Sequence, residues 1–425
     1  MNAAARFSAI LEGRRSISAY PEHKVRRVAQ ITTEVTGAIE RIDALKTGFA
    51  MADFGAWGPV IEREEERSEL KYPLSYAQKG EVGAIFSPIR DGDVYPEVAP
   101  IPDDPRILSN HIKSLGYFLK ADAVGICELP QWAVYARDVE RDPIVCDHKY
   151  AIVIISQWGY ETTKASTGDD WISDSESWLS YNESAHIACT MASYIRRLGY
   201  PARGHLQTGN EHVPGYDVIL TPLLVLAGLG ELSRPGWALH PYLGGRFKAS
   251  VVTTDLPLLP DKPIDFGLQA FCRTCKRCAR HCPSRSISDA DHKIDDYGHG
   301  GYRSYEFDWE RCTKYRLMNQ NGAYCGVCVK VCPWNKPKAW WHDIVRRSVR
   351  SAPQLDPLWV KLDEWLGYGK SHPELKWWFD LEEVDGHMRI PPRSPDNAFW
   401  QTEGTPTDEW KKLRADTTTE PRMRS

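Results

Sequence analysis

Residues 272–283 read CRTCKRCARHCP and residues 325–333 read CGVCVKVCP, the second run completed by Cys312 farther upstream. Each run supplies four thiolates at spacings that wrap an iron–sulfur cube. A Cys-x2-Cys step sets two sulfurs on one tight turn, a third cysteine closes a face, and the terminal Cys-Pro turns the last thiolate away from the others. In two-cluster ferredoxins that fourth ligand serves the other cube. The spacing therefore assigns Cys272, Cys275 and Cys278 with Cys332 to one 4Fe-4S cluster, and Cys312, Cys325 and Cys328 with Cys282 to a second.

A zinc ribbon also pairs Cys-x2-Cys steps, but it has no use for two further cysteines each followed by proline. A disulfide framework fits worse, because Cys127, Cys146 and Cys189 make the total odd in a large chain without a secretory start. Those three read as buried thiols. At 425 residues the chain buries enough apolar surface to need no staples, so the clusters are there for electrons.

The formal charge of −4 is mixed along the sequence and gives no field that would attract nucleic acid or an anionic membrane. The Arg14-Arg15 pair is followed by a polar stretch instead of an apolar one, so the start reads as uncleaved and the protein as cytoplasmic. No window approaches the roughly 18 apolar residues of a membrane span. Nine of the sixteen tryptophans follow the last cluster cysteine. Trp340, Trp341, Trp377 and Trp378 are expected to pack a late helical layer over the clusters.

Outward from the cysteines, the fold class is α/β (α+β), with residues 1–104 as an irregular N-terminal elaboration. Helical spacing from Ile107 to Leu119 leads into a short strand at 123–126, and Ala151 to Ile155 is a continuous run that fits a strand covered on both faces. Asn182 is expected to cap a helix whose apolar stripe runs to Leu198 before Gly199 stops it. Strands are expected at 217–220 and 250–254, with a short helix between them. The prolines from Pro257 to Pro263 place a boundary near residue 260. The expected units are 105–260, a cluster module at 261–337, a helical segment at 338–404, and a loose tail at 405–425.

Five blocks in order carry a family likeness: Ser180-Tyr181 through Tyr200; Ala227 to Glu231, which includes Gly230; Asp261-Lys262-Pro263; Phe271 to Pro283; and Cys332-Pro333-Trp334-Asn335-Lys336. In this combination the chain resembles the corrinoid-dependent reductive dehalogenases, as a non-exported, catabolic-type member. The resemblance implies a nitroreductase-like domain holding cobalamin or another cobamide base-off, beside a two-cluster ferredoxin-like module. In that family electrons passed through the clusters make Co(I), a halide leaves an aryl or alkenyl carbon, and a tyrosine supplies the proton. Tyr181 matches that tyrosine.

A phenol near pKa 10 is acid enough for a carbanion or radical anion, and a cation beside it favours the phenolate left behind. The family places arginines here; Arg246 agrees, but Lys248 stands where the second is expected. Lysine is a point charge without arginine's planar fork, so substrate orientation is expected to differ. His205, Gln207, Gly230 and Trp334 are the candidate cofactor contacts that the likeness suggests.

The implied substrate is an organohalide, by default a halogenated phenol or other aryl halide. Arg273, Lys276, Arg277, Arg280 and Arg285 crowd the first cluster and suit docking of a separate acidic ferredoxin or flavodoxin as electron donor. Two rivals stand beside this reading. An epoxyqueuosine reductase would share the cofactors but would need a basic surface for tRNA, which the charge pattern does not supply. A corrinoid-free iron–sulfur electron-transfer protein would use the α/β part only as a scaffold.

Overall fold

The computed structural model describes residues 20–372, apart from residue 72 and the stretches 209–214, 297–299 and 320–323, together with 375, 382–384 and 387–389. Its helices are α1 (Gly48–Asp53), α2 (Pro59–Lys71), α3 (Pro73–Glu81), α4 (Pro105–Phe118), α5 (Tyr160–Ala165), α6 (Trp171–Arg197) and α7 (Leu220–Leu226). Beyond these come α8 (Leu268–Cys275), α9 (Arg277–Arg280), α10 (Trp309–Met318), α11 (Val327–Lys330), α12 (Trp340–Ser351) and α13 (Asp356–Trp365).

The central sheet has four strands, β1 (Ala123–Glu128), β2 (Tyr150–Gln157), β3 (Ala202–His205) and β4 (Phe247–Thr254), in the order β1-β2-β4-β3 with every pairing antiparallel. Ala151 to Ile155 in β2 are fully buried because a layer covers each face. On one side β2 and β4 meet α6 and α4 through Ile112, Ile152, Ile154, Ile187, Met191 and Val252. On the other, Val153, Ile155 and Val251 meet α7 through Leu223 and Leu224. Each such aliphatic side chain contributes roughly 1.5–3 kcal/mol by leaving water. Gly125 lets α7 close on β1, since a Cβ there would lie 2.5 Å from the Ala227 carbonyl oxygen.

Several sequence expectations need correction. Residues 1–104 are not simply irregular: α1, α2 and α3 pack their own apolar cluster, including Leu45, Met51, Phe54, Trp57 and Ile61, against Leu317 of α10. Asn182 is no cap, because α6 begins eleven residues earlier, after Asp170. The polar run Ser173 to Ser177 hid the first three turns; three of these five residues, Ser173, Asp174 and Ser175, are nonetheless buried. The helix ends as expected at Gly199, whose φ of 85° suits glycine and whose Cβ would meet the Glu97 carbonyl oxygen at 2.6 Å. Asp217 to Leu220 makes only one bridge, Val134 to Val218, before α7 starts.

The tryptophan layer also departs from expectation. Trp340 and Trp341 are 70% and 50% exposed instead of covering the clusters, while Trp377 and Trp378 lie outside the described residues. Trp334, by contrast, is buried edge-on against Phe266 and Phe271. Among the described residues no helix is long and apolar enough to cross a membrane.

Candidate active site and cluster sites

The two cysteine runs fold into one another. From α8, through a left-handed turn at Lys276 with φ 55°, into α9, the chain delivers Cys272, Cys275 and Cys278 to one small cavity, and Cys332 after α11 closes it. Cys312 on α10 stands with Cys325, Cys328 and Cys282 closely enough that each set of charges acts on the others' ionisation. Ser286 N–H donates to Cys282 Sγ at 3.3 Å, holding that residue toward the second group.

Burial pushes the Cys275 and Cys278 thiols up to about 12, so a soft metal has to displace their protons. Among the described residues no three His, Cys, Asp or Glu close on a single-ion position. The cysteines of the first set instead surround a space, an arrangement that suits a cube better than one zinc ion.

Tyr181 lies within α6, and Lys248 lies on β4 opposite Ser156 of β2. The Lys248 ammonium stands 5.0 Å from the Tyr181 ring centre and 5.4 Å from the Trp158 ring. Helix and sheet are clipped together at this level by Ser180: its hydroxyl donates to the Ser156 carbonyl at 2.5 Å and accepts from Lys248 N–H at 3.0 Å. One turn later Ser184 and Ser250 join their hydroxyls at 2.9 Å. Ser180→Ala removes the clip; we expect thermal stability to fall by only about 1 kcal/mol, while turnover falls several-fold as Tyr181 and Lys248 lose register. Equal turnover at full cofactor loading would show that the clip does not position them.

Asp174, Trp178 and Tyr181 recur along α6 at four- and three-residue steps and so share a face. Burial pushes the Asp174 carboxyl up to about 7, although Ser75, Arg316 and Lys248 act in the opposite sense. An unfolded aspartate titrates near ~4, so between about 4 and about 7 the folded chain holds a proton that the unfolded chain has lost. Stability from this site therefore falls as pH rises through that window. Asp174→Asn is expected to flatten the pH dependence of the melting temperature there, and an unchanged slope would refute the assignment.

The other candidates go to different places. Arg246 is buried and saturated: it donates to the Asn335 side chain at 2.9 Å and to the Trp158 carbonyl, so it braces the sheet against the cluster module instead of facing Tyr181. His205 is fully buried, with Nδ1 accepting from Asp217 N–H at 3.2 Å and Nε2 bonded to Thr253 at 2.9 Å. Burial and the neighbouring arginines hold it neutral, and it offers no nitrogen to a ligand.

Gly230 serves close packing, since a Cβ would lie 2.7 Å from the Leu239 carbonyl oxygen. Trp334 borders the first cluster's cavity. Of the five basic residues expected to dock a donor, Arg277 is buried against Asp363, and Lys276 and Arg280 pair with Asp291 and Glu364; Arg273 and Arg285 remain exposed.

Gln207 lines a cavity of about 620 Å³, with Phe49, Arg90, Tyr135, Thr208 and Tyr216. Its wall residue Tyr216 donates to the carbonyl of Ala249, the residue after Lys248. Burial, and next the charge of Tyr181, push the Tyr216 phenol up, and Phe49 carries the Arg316 guanidinium 4.4 Å above its ring. Around this region Trp57, Trp158 and Trp171 bury indole N–H groups without an acceptor, and Ser156 Oγ, Asp174 Oδ2 and Arg316 Nε lack partners among the described residues. Buried polar groups ordinarily find partners, so these fit a large ligand with a polar rim. The sequence marked none of these: Trp171 and Asp174 lie at the start of α6, and Trp57, Ser156, Trp158 and Arg316 come from other elements.

Similar proteins bear on the cluster module and the fold. The family model described as a 4Fe-4S double cluster binding domain matches residues 271–335. The tetrachloroethene reductive dehalogenase of Sulfurospirillum multivorans is 30% identical over 303 residues, 64% of this chain and 58% of that protein. The one from Desulfitobacterium hafniense is 36% identical over 234 residues, 53% of this chain and 40% of that protein. Among solved structures, the catabolic reductive dehalogenase NpRdhA, in complex with 3-bromo-4-hydroxybenzoic acid, matches at 38% identity with a TM-score of 0.81 over 89% of this chain and 54% of that one. The chain thus spans about half the length of the relatives it matches. The sequence shared with these relatives and a fold shared across nearly all of this chain place it in the reductive dehalogenase family.

Proposed function

We propose that the chain is a cobamide- and iron–sulfur-dependent reductive dehalogenase acting on a halogenated phenol or related aryl halide. The observation that carries this is the Lys248 ammonium 5.0 Å from the Tyr181 ring, with Tyr216 of a cavity of about 620 Å³ bonded to the carbonyl of the next residue, Ala249. The orphaned indole N–H groups and the Asp174 oxygen fit the amide rim of a corrin. When bound, the reduced cobamide supplies the electrons that break the carbon–halogen bond.

The residues of this chain do the rest. Tyr181 donates its phenolic proton to the carbon that the halide leaves, and Lys248 stabilises the resulting phenolate. The two cysteine sets would hold clusters that carry electrons inward, the second set toward the pocket: Gly326, between Cys325 and Cys328, packs on the Trp158 ring that Lys248 overlies. Exposed Arg273 and Arg285, beside the first cysteine set, suit docking of a separate acidic ferredoxin or flavodoxin donor in the cytoplasm.

The test is anaerobic reconstitution followed by halide release from brominated and chlorinated phenols and hydroxybenzoates. Stoichiometric halide with a hydrogen-substituted product supports the proposal. Protein that binds corrinoid yet releases no halide would refute the reaction, and protein that takes up iron and no corrinoid would be an electron carrier.

A further inference from the structure

We propose that Arg234 sets the reduction potential of the first cluster and holds it above that of the second. The proposal rests on both cysteine sets carrying 4Fe-4S clusters. Arg234 is fully buried. Its guanidinium donates to the Cys272 carbonyl at 3.0 and 3.1 Å, to Ser288 O at 2.8 Å, to Ala290 O at 2.9 Å and to Arg273 O at 3.4 Å. It lies 3.8 Å above the Tyr305 ring and borders the cavity of Cys272, Cys275 and Cys278.

Every one of these acceptors is neutral. Among the described residues no carboxylate forms an ion pair with Arg234, whereas Lys276, Arg277, Arg280 and Lys336 nearby all have one. A buried cation without a counter-ion is costly, and the charge that offsets it here is the all-thiolate cluster. Reduction adds a negative charge to that cluster, and a fixed cation in a dry setting favours the reduced form.

The second cluster has a different field. Asp169 follows Gly168, whose carbonyl accepts from Gly326 N–H at 2.6 Å beside Cys325, and Asp308 caps the helix α10 that carries Cys312. Lys330, the nearby buried lysine, spends its ammonium on the carbonyls of Thr163 and Lys164. An electron entering the protein accordingly rests on the first cluster and moves inward when the pocket draws it.

The test is a redox titration of reconstituted full-length protein followed by electron paramagnetic resonance. In Arg234→Gln the higher of the two cluster midpoints is expected to fall while the lower stays, with iron unchanged at about eight per chain. Arg234→Lys, which keeps the charge, is expected to restore it. No shift, a shift of the lower midpoint, an equal shift of both, or a fall in Arg234→Lys as large as in Arg234→Gln would overturn the proposal.

If Arg234→Gln does not load its iron, Asp291→Asn carries the test. It removes the exposed acid that pairs with Lys276 at 2.6 Å beside the same cluster, and the higher midpoint is expected to rise at low salt. A midpoint that stays or falls counts against the proposal. Iron content well short of eight in the unaltered protein would instead sink the cluster reading itself.

Discussion

Tyr181→Phe is expected to lower the rate of dehalogenation at least about 100-fold, the ordinary scale of a general acid's contribution, while leaving both clusters and the corrinoid in place. The substitution removes one hydroxyl and keeps the ring that packs 5.4 Å from Trp178 and beneath Lys248. The fold therefore has little reason to respond. The measurement is halide release under saturating reductant, with iron and corrinoid content determined on the same sample. Full activity with intact cofactors would remove Tyr181 from the role of proton donor. Loss of activity with loss of corrinoid would show instead that the ring is a wall of the cofactor cavity.

Cys282→Ala should cost the second cluster, although this cysteine belongs to the first run in the sequence. Its sulfur is held toward Cys312, Cys325 and Cys328, and alanine leaves that group one ligand short. We expect iron to fall from about eight per chain to about four or seven, according to whether the cube is lost or keeps three irons, with the change confined to one of the two resonance signals. Electrons would still enter the protein, but reduction of the pocket by a donor protein would largely stop. Should the first cluster vanish and the second persist, the interleaved ligand assignment would be wrong.

The cysteine spacing was legible because cluster ligands obey local rules: tight turns and short helices fix which sulfurs converge. The buried strand at Ala151 to Ile155 was legible for a similar reason, since five apolar residues in a row need cover on both faces. Helix α6 was not. Its first turns carry Ser173, Asp174 and Ser175, which look like a solvated approach to a helix and are in fact buried.

That misplaced start is why Tyr181 reads from sequence as a helix-start aromatic and why Asp174 and Ser180 have no visible role. Arg246 shows the opposite difficulty. A buried arginine on the strand leading to Lys248 looks catalytic until its partners are known, and those partners come from residues 88 and 89 positions away. Long-range polar pairing of this kind has no periodic trace. Arg234 belongs to the same class, as a lone charge among carbonyl groups that only the folded chain assembles.

The bracing of Trp158 and Asn335 by one guanidinium has a consequence for catalysis. Electron tunnelling slows steeply with every added ångström, and on the proposed function this arginine would span the seam that the electron crosses. A chain built this way would keep its hopping distance constant through thermal fluctuation, leaving turnover to the delivery of reductant and substrate.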